Sequence, residues 1–150
     1  MNEKSSGRTL MIVSAICVVL AIVAVILLFG REEKAGAKIG FIMTGSIEEQ
    51  GWNGMHYNGV KSACDKLGTT LLVRENVEEF SGECIKAIHE LAEEGVGMIV
   101  LSSYGYSEEA RDVVKEYPGI VFYANSSEYH DTNMTSYFVR MYQARFLAGI

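Results

Sequence analysis

Three polar loops carry the side chains able to do chemistry. Residues 44–53 read TGSIEEQGWN and hold Trp52, the chain's one tryptophan. Residues 102–107 read SSYGYS, and residues 125–133 read NSSEYHDTN. Trp52, Tyr104 and Tyr106 supply flat faces. Asn53, Ser102, Ser103 and Asn125 supply hydrogen-bonding groups, while Gly45, Gly51 and Gly105 permit tight turns and close backbone approach. Aromatic surface with a few convergent polar groups is how a site for a small planar ligand is assembled. A base stacked on an aromatic side chain gains about 1–3 kcal/mol. Packing explanations stay open beside this one. Trp52 could staple a helix to a sheet, the tyrosines could be half-buried, and Glu48 and Glu49 could only complement a helix dipole.

Catalytic patterns are missing. GSIEEQG has the wrong spacing for a dinucleotide fingerprint, and neither a phosphate-binding GxxxxGK[ST] loop nor a GxSxG elbow occurs. There is no CxxC, and His56, His89 and His130 are scattered. No catalytic residue, metal or cofactor is therefore expected. The triplets beginning at Asn125 and Asn133 match a glycosylation sequon, a pattern that arises often by chance.

Loops of this kind need a scaffold, and the pattern from residue 38 onward provides one. Short apolar runs at 38–43, 69–76, 97–103, 120–125 and 135–139 suit strands. Helices are expected over 52–68, 81–95, 107–119 and 140–150. Met55, Val60, Ala63, Cys64 and Leu67 form the stripe of the first helix. Cys84, Ile88, Leu91 and Ala92 form that of the second. Ser81 and Ser107 are the expected N-caps, and Gly68 and Gly95 the stops. Strands alternating with helices imply βαβ units, a parallel sheet and a three-layer α/β sandwich. In the order 2-1-3-4-5 the first two helices lie on opposite faces, and ligands bind beyond the carboxyl ends of the strands. All three loops then meet at that edge. The same order separates Cys64 from Cys84, so free buried thiols are expected rather than a disulfide. The chain stops at Ile150 inside a helical pattern, as though cut within a larger protein.

Ahead of this domain, residues 10–29 contain no charge and only Ser14 as a polar side chain. At about 1.5 Å per residue they span about 30 Å, the thickness of a bilayer core. A cleaved signal peptide and a membrane anchor both fit. The run exceeds the usual apolar core of a signal peptide, about 7–15 residues, which favours an uncleaved anchor. A lipid anchor at Cys17 fits poorly, because the residues before it lack the usual small lead-in. Lys4 and Arg8 place residues 1–9 in the cytoplasm and the domain outside, on a single-pass anchor in the cell membrane. Residues 30–37 are a polar linker and 38–150 the domain. The net charge of −6 argues against nucleic acid as a partner.

These residues together resemble the basic membrane protein (BMP) family, the purine-nucleoside-binding components of ABC transporters. KIGFI followed by GSIEEQGWNGMHYNGVK is similar to the family's first strand and its G-x-I-x-D-x-G-W-x-x-x-H-x-x-G segment. LAEEGVGMIVLSSYGYSE resembles its third strand and the loop after it, and YFVRMYQARFLAGI the helix leading to a second lobe. The resemblance implies the first lobe of a periplasmic binding protein type I fold, the second lobe being absent. It implies a purine nucleoside or base as ligand, with permease and ATPase subunits of an importer as partners. It implies that Trp52 stacks on the base, that Glu49 takes the place of a family Asp, and that Ser103, Tyr104 and Asn125 line the cleft; Asn53 joins them as a ligand-binding candidate from its place in the first loop. Met43 stands where nucleoside binders often carry an Asp for the ribose, which favours a bare base. The ligand-sensing ectodomain of a membrane receptor, such as a sensor kinase, is the alternative.

Overall fold

The computed structural model describes residues 37–138 and 142–149, together with Val18. Segment 1–9, the rest of the expected span at 10–29 and nearly all of linker 30–37 lie outside the described residues. Among the described residues no helix is long and apolar enough to cross a membrane.

The elements run β1 (Lys38–Ile42), α1 (Trp52–Leu67), β2 (Thr70–Arg74), α2 (Glu83–Glu93), β3 (Met98–Leu101), α3 (Tyr104–Glu109), a 3₁₀ turn (Val113–Glu116), β4 (Val121–Asn125), β5 (Met134–Tyr137) and α4 (Tyr142–Ala148). The five strands form one sheet in the order β2-β1-β3-β4-β5 with every neighbouring pair parallel, as the sequence pattern predicts. Strand alternation sorts side chains onto two faces. Ile42, Ile99, Leu101 and Phe122 pack under α2 and α3, in a core that includes Cys84, Ile88, Leu91 and Tyr106. Phe41, Met43 and Val100 face the other way, under Tyr57 and Val60 of α1. This gives three layers. Gly40 lets α2 lie tight on β1, since a Cβ there would sit 2.7 Å from Leu91 Cδ1.

Cys64 and Cys84 are both buried and free. Gly68 ends α1 in the left-handed conformation at φ 66°, as expected. The α1 stripe is narrower than the spacing suggests. Cys64 is buried and Val60 half-buried, while Met55 and Leu67 are exposed. They border an open apolar groove of about 490 Å³ whose floor includes Ile39, Val100 and Tyr123.

Helix α3 departs most from the pattern. It starts at Tyr104 rather than Ser107, with Ser103 as its N-cap in an extended conformation. The cause is a clasp to the β2–α2 loop. Glu79 Oε1 accepts a hydrogen bond from Gly105 N at 2.6 Å, and Glu109 of α3 accepts from Phe80 N and from Gly82 N. These bonds recruit residues 104–106 into the helix. Ser107 therefore sits inside it, donating its hydroxyl to Tyr104 O at 2.7 Å instead of capping. Tyr106 is wholly buried, and its hydroxyl donates to Val77 O at 2.5 Å. It is a core residue, not an aromatic wall. The cap of α2 shifts less: Gly82 is the N-cap, and Ser81 Oγ accepts from Glu83 N at 3.2 Å.

Candidate functional site

Trp52 opens α1 at the carboxyl edge of the sheet. Its indole N–H donates to the Ser102 carbonyl at 3.1 Å, which ties the first loop to the end of β3. The ring remains 39% exposed. One turn along α1, His56 lies 4.4 Å from it, centroid to centroid, at a 43° tilt. His56 Nδ1 is 2.8 Å from the Trp52 carbonyl and its Nε2 is 3.1 Å from Asn125 Nδ2. A carbonyl can only accept and an amide NH₂ can only donate, so these partners assign the proton to Nδ1 and leave Nε2 as acceptor. The imidazole thus links Trp52 to the end of β4. Beyond it stands Tyr137, 6.1 Å from the His56 ring and stacked on Tyr123 at 4.6 Å. Burial pushes the Tyr137 phenol up to about 12, partly offset by its hydrogen bond with Asn125.

The carboxamide of Asn53 is buried and bonded through both of its polar atoms. Its Oδ1 accepts from Thr44 Oγ1 at 3.1 Å and its Nδ2 donates to the Glu49 carboxylate. Gly45 makes room for this pair, because a Cβ there would fall 2.5 Å from Asn53 Nδ2 and 2.6 Å from Glu49 Oε2. Ile47 N donates to Glu75 Oε2 at 2.8 Å and pins the loop from its other side. Asn125 is likewise buried and engaged, by His56 and by the Ser126 hydroxyl, which donates to its Oδ1.

Trp52, Asn53, Glu49 and Asn125 thus each take part in hydrogen bonds at the carboxyl edge, and Ser103 stands beside them as the N-cap of α3, with no side-chain cap bond. Tyr104 stands apart: it is 46% exposed, and no ring contact joins it to Trp52 among the described residues. Two residues escaped sequence reasoning. His56 had a signal, a four-residue spacing from Trp52 that puts both on one helix face. Tyr137 had none, since its place depends on the pairing of β4 with β5. Among the described residues no cluster of His, Cys, Asp and Glu could hold a metal.

Residues 37–150 match the family model described as Bmp, ABC transporter substrate-binding protein PnrA-like. A purine-binding protein of Brucella abortus (strain 2308) is 32% identical over 139 residues, covering 88% of this chain. The chain spans only 38% of that relative's length. A solute-binding protein of an ABC transporter system from Aeropyrum pernix K1 superposes with a TM-score of 0.61 at 19% identity, over 76% of this chain and 31% of its own. Another, from Conexibacter woesei, gives 0.58 at 17%, over 69% and 35%. A transcriptional activator of the comK gene from Bacillus halodurans gives 0.58 at 23%, over 67% and 34%. At such identities these structures share the fold.

Proposed function

The chain belongs to the Bmp family of PnrA-like ABC transporter substrate-binding proteins, and from that premise we propose that it forms one lobe of a receptor for a purine base, delivering it to an ABC importer. The half-exposed Trp52, fixed by its bond to the Ser102 carbonyl, carries the reading. A large apolar ring at the ligand edge of a parallel sheet has a purpose if a planar ligand covers it. The name of the Brucella relative supports purine as that ligand. Met43 is apolar where a ribose-binding carboxylate would sit, which favours a base over a nucleoside. A second lobe closes over the ligand. The apolar residues 10–29 anchor the lobe to the cell membrane, facing outward.

Titration calorimetry of the full-length polypeptide against bases, nucleosides and sugars tests this. Heat is expected with adenine or a related purine, and heat with sugars alone refutes it. Trp52→Ala is expected to weaken binding at least tenfold, about 1.4 kcal/mol of stacking. An unchanged affinity would return Trp52 to a packing role.

A further inference from the structure

Among the described residues, five polar residues are buried: Asn53, Ser102, Ser107, Asn125 and Ser127. Four have their side chains committed within the lobe. Asn53 is held by Thr44 and Glu49, and Asn125 by His56 and Ser126. Ser107 donates to Tyr104 O, while Ser127 donates to Tyr129 O and accepts from Tyr129 N. Ser102 is the exception. It is fully buried, and its Oγ is the one buried side-chain polar atom without a hydrogen-bond partner among the described residues. Its backbone is fully used: the N–H donates to Ile42 O at 3.1 Å and the carbonyl accepts the Trp52 indole N–H. An orphaned buried hydroxyl is costly, so native structures leave one where it has a task.

The position of this hydroxyl states the task. Strand alternation puts Ser102 on the same face as Met98 and Val100, the α1 face on which Trp52 lies. The indole rests against the peptide of the same residue. We propose that the Ser102 hydroxyl is a specificity-determining contact, reading the polar edge of a planar heteroaromatic ligand stacked on Trp52. This rests on the purine reading above. The ligand reaches the hydroxyl by replacing the one bond between the indole and the Ser102 carbonyl, while His56 and the Asn53–Glu49 brace keep the Trp52 backbone in place. A hydroxyl both donates and accepts, so it suits a ring nitrogen or an exocyclic amine. Ser103 is the neighbour that the sequence pattern favours, but it is partly open to water. Water would compete for its hydroxyl, and its discrimination would be correspondingly small.

The test is Ser102→Ala in the full-length polypeptide, titrated with adenine and with benzimidazole, a bicyclic ring that lacks adenine's amino group and pyrimidine nitrogens. Adenine affinity is expected to fall at least tenfold and benzimidazole affinity to stay within twofold. The melting temperature of the ligand-free protein should hold or rise, because the variant removes an unsatisfied group. A lowered melting temperature would show the hydroxyl to be bonded without ligand and would overturn the proposal. So would unchanged adenine affinity. Trp52→Ala in parallel separates the two readings. If it loses adenine while Ser102→Ala does not, only the Ser102 inference fails. If neither variant alters adenine binding, the purine site itself is refuted.

Discussion

Two glycines in α1 should respond to alanine with opposite signs. Gly59 is exposed, and a Cβ there would meet nothing within 4 Å. Gly59→Ala should then gain the full helix-propensity difference, about 1 kcal/mol. Gly54 has the same propensity to gain, but a Cβ there would lie 2.0 Å from the Glu49 carbonyl oxygen. Ordinary contact needs more than 3 Å, so backbone must part from backbone by over 1 Å. That loop is not free to yield: Glu49 N donates to Ser46 O, Ile47 N to Glu75 Oε2 and Met55 N to Gly51 O. Overpacking of this kind costs about 1–3 kcal/mol. Moving Glu49 also strains its charge-assisted bond to Asn53, worth a further ~1.5 kcal/mol or more. The clash exceeds the propensity gain, and the net loss is about 2 kcal/mol. For a domain of this size each kcal/mol moves the melting temperature by about 4 °C. Circular-dichroism melts should place Gly59→Ala about 4 °C above the parent and Gly54→Ala about 8 °C below it. Trp52 emission should change in Gly54→Ala alone, because the displaced loop carries that residue. If both variants shift the melt in one direction, the close packing of the Glu49 loop on α1 is wrong.

Two further outcomes are expected. Under native conditions iodoacetamide should leave Cys64 and Cys84 unmodified for hours, both becoming reactive in urea. Both thiols are buried, and burial, with Glu109 and Glu79 nearby, drives the Cys84 thiol far above its ordinary range; a Cys64–Cys84 disulfide in peptide mass spectra would contradict the opposite-face arrangement. The Tyr137 phenol, raised to about 12 mainly by burial, gives the folded state a tighter hold on that proton than the unfolded chain has. Its contribution to stability is therefore complete below about pH 10 and is lost as pH rises toward 12. Tyr137→Phe should flatten that part of the stability profile, and an unchanged alkaline profile would count against a phenol shielded from water.

The sequence pattern made the sheet legible because each strand declares itself locally. KIGFI and MIVL are short apolar runs between turn signals, and right-handed βαβ connections then leave few strand orders. The carboxyl-edge location of the loops followed from that order. The interior of those loops was not legible, because it is set by partners distant in sequence. The start of α3 depends on Glu79 and Glu109 reaching across 26 to 29 residues. The His56–Asn125 contact spans 69 positions. Tyr106 offered the same flat ring as Tyr104, and only the earlier helix start turned it inward. Met55 and Leu67 kept a helical spacing but border a groove rather than filling it.

The commitments around Trp52 bear on how such a site can bind tightly. Ordering a side chain on binding costs roughly 0.5–1.5 kcal/mol, and a platform already held in place avoids that cost. The Trp52 backbone is held at two points, its carbonyl by His56 and its helix start by the Asn53–Glu49 brace, so that only the indole edge, on its one bond to Ser102, has to move. The brace explains why Asn53 and Glu49 sit beside the tryptophan without needing to touch a ligand. It also separates two kinds of polar residue at this edge. Those already paired set the geometry, and substituting them should lower stability and affinity together. Among the described residues the Ser102 hydroxyl is the one buried side-chain polar atom in the other class, where affinity should fall while stability does not.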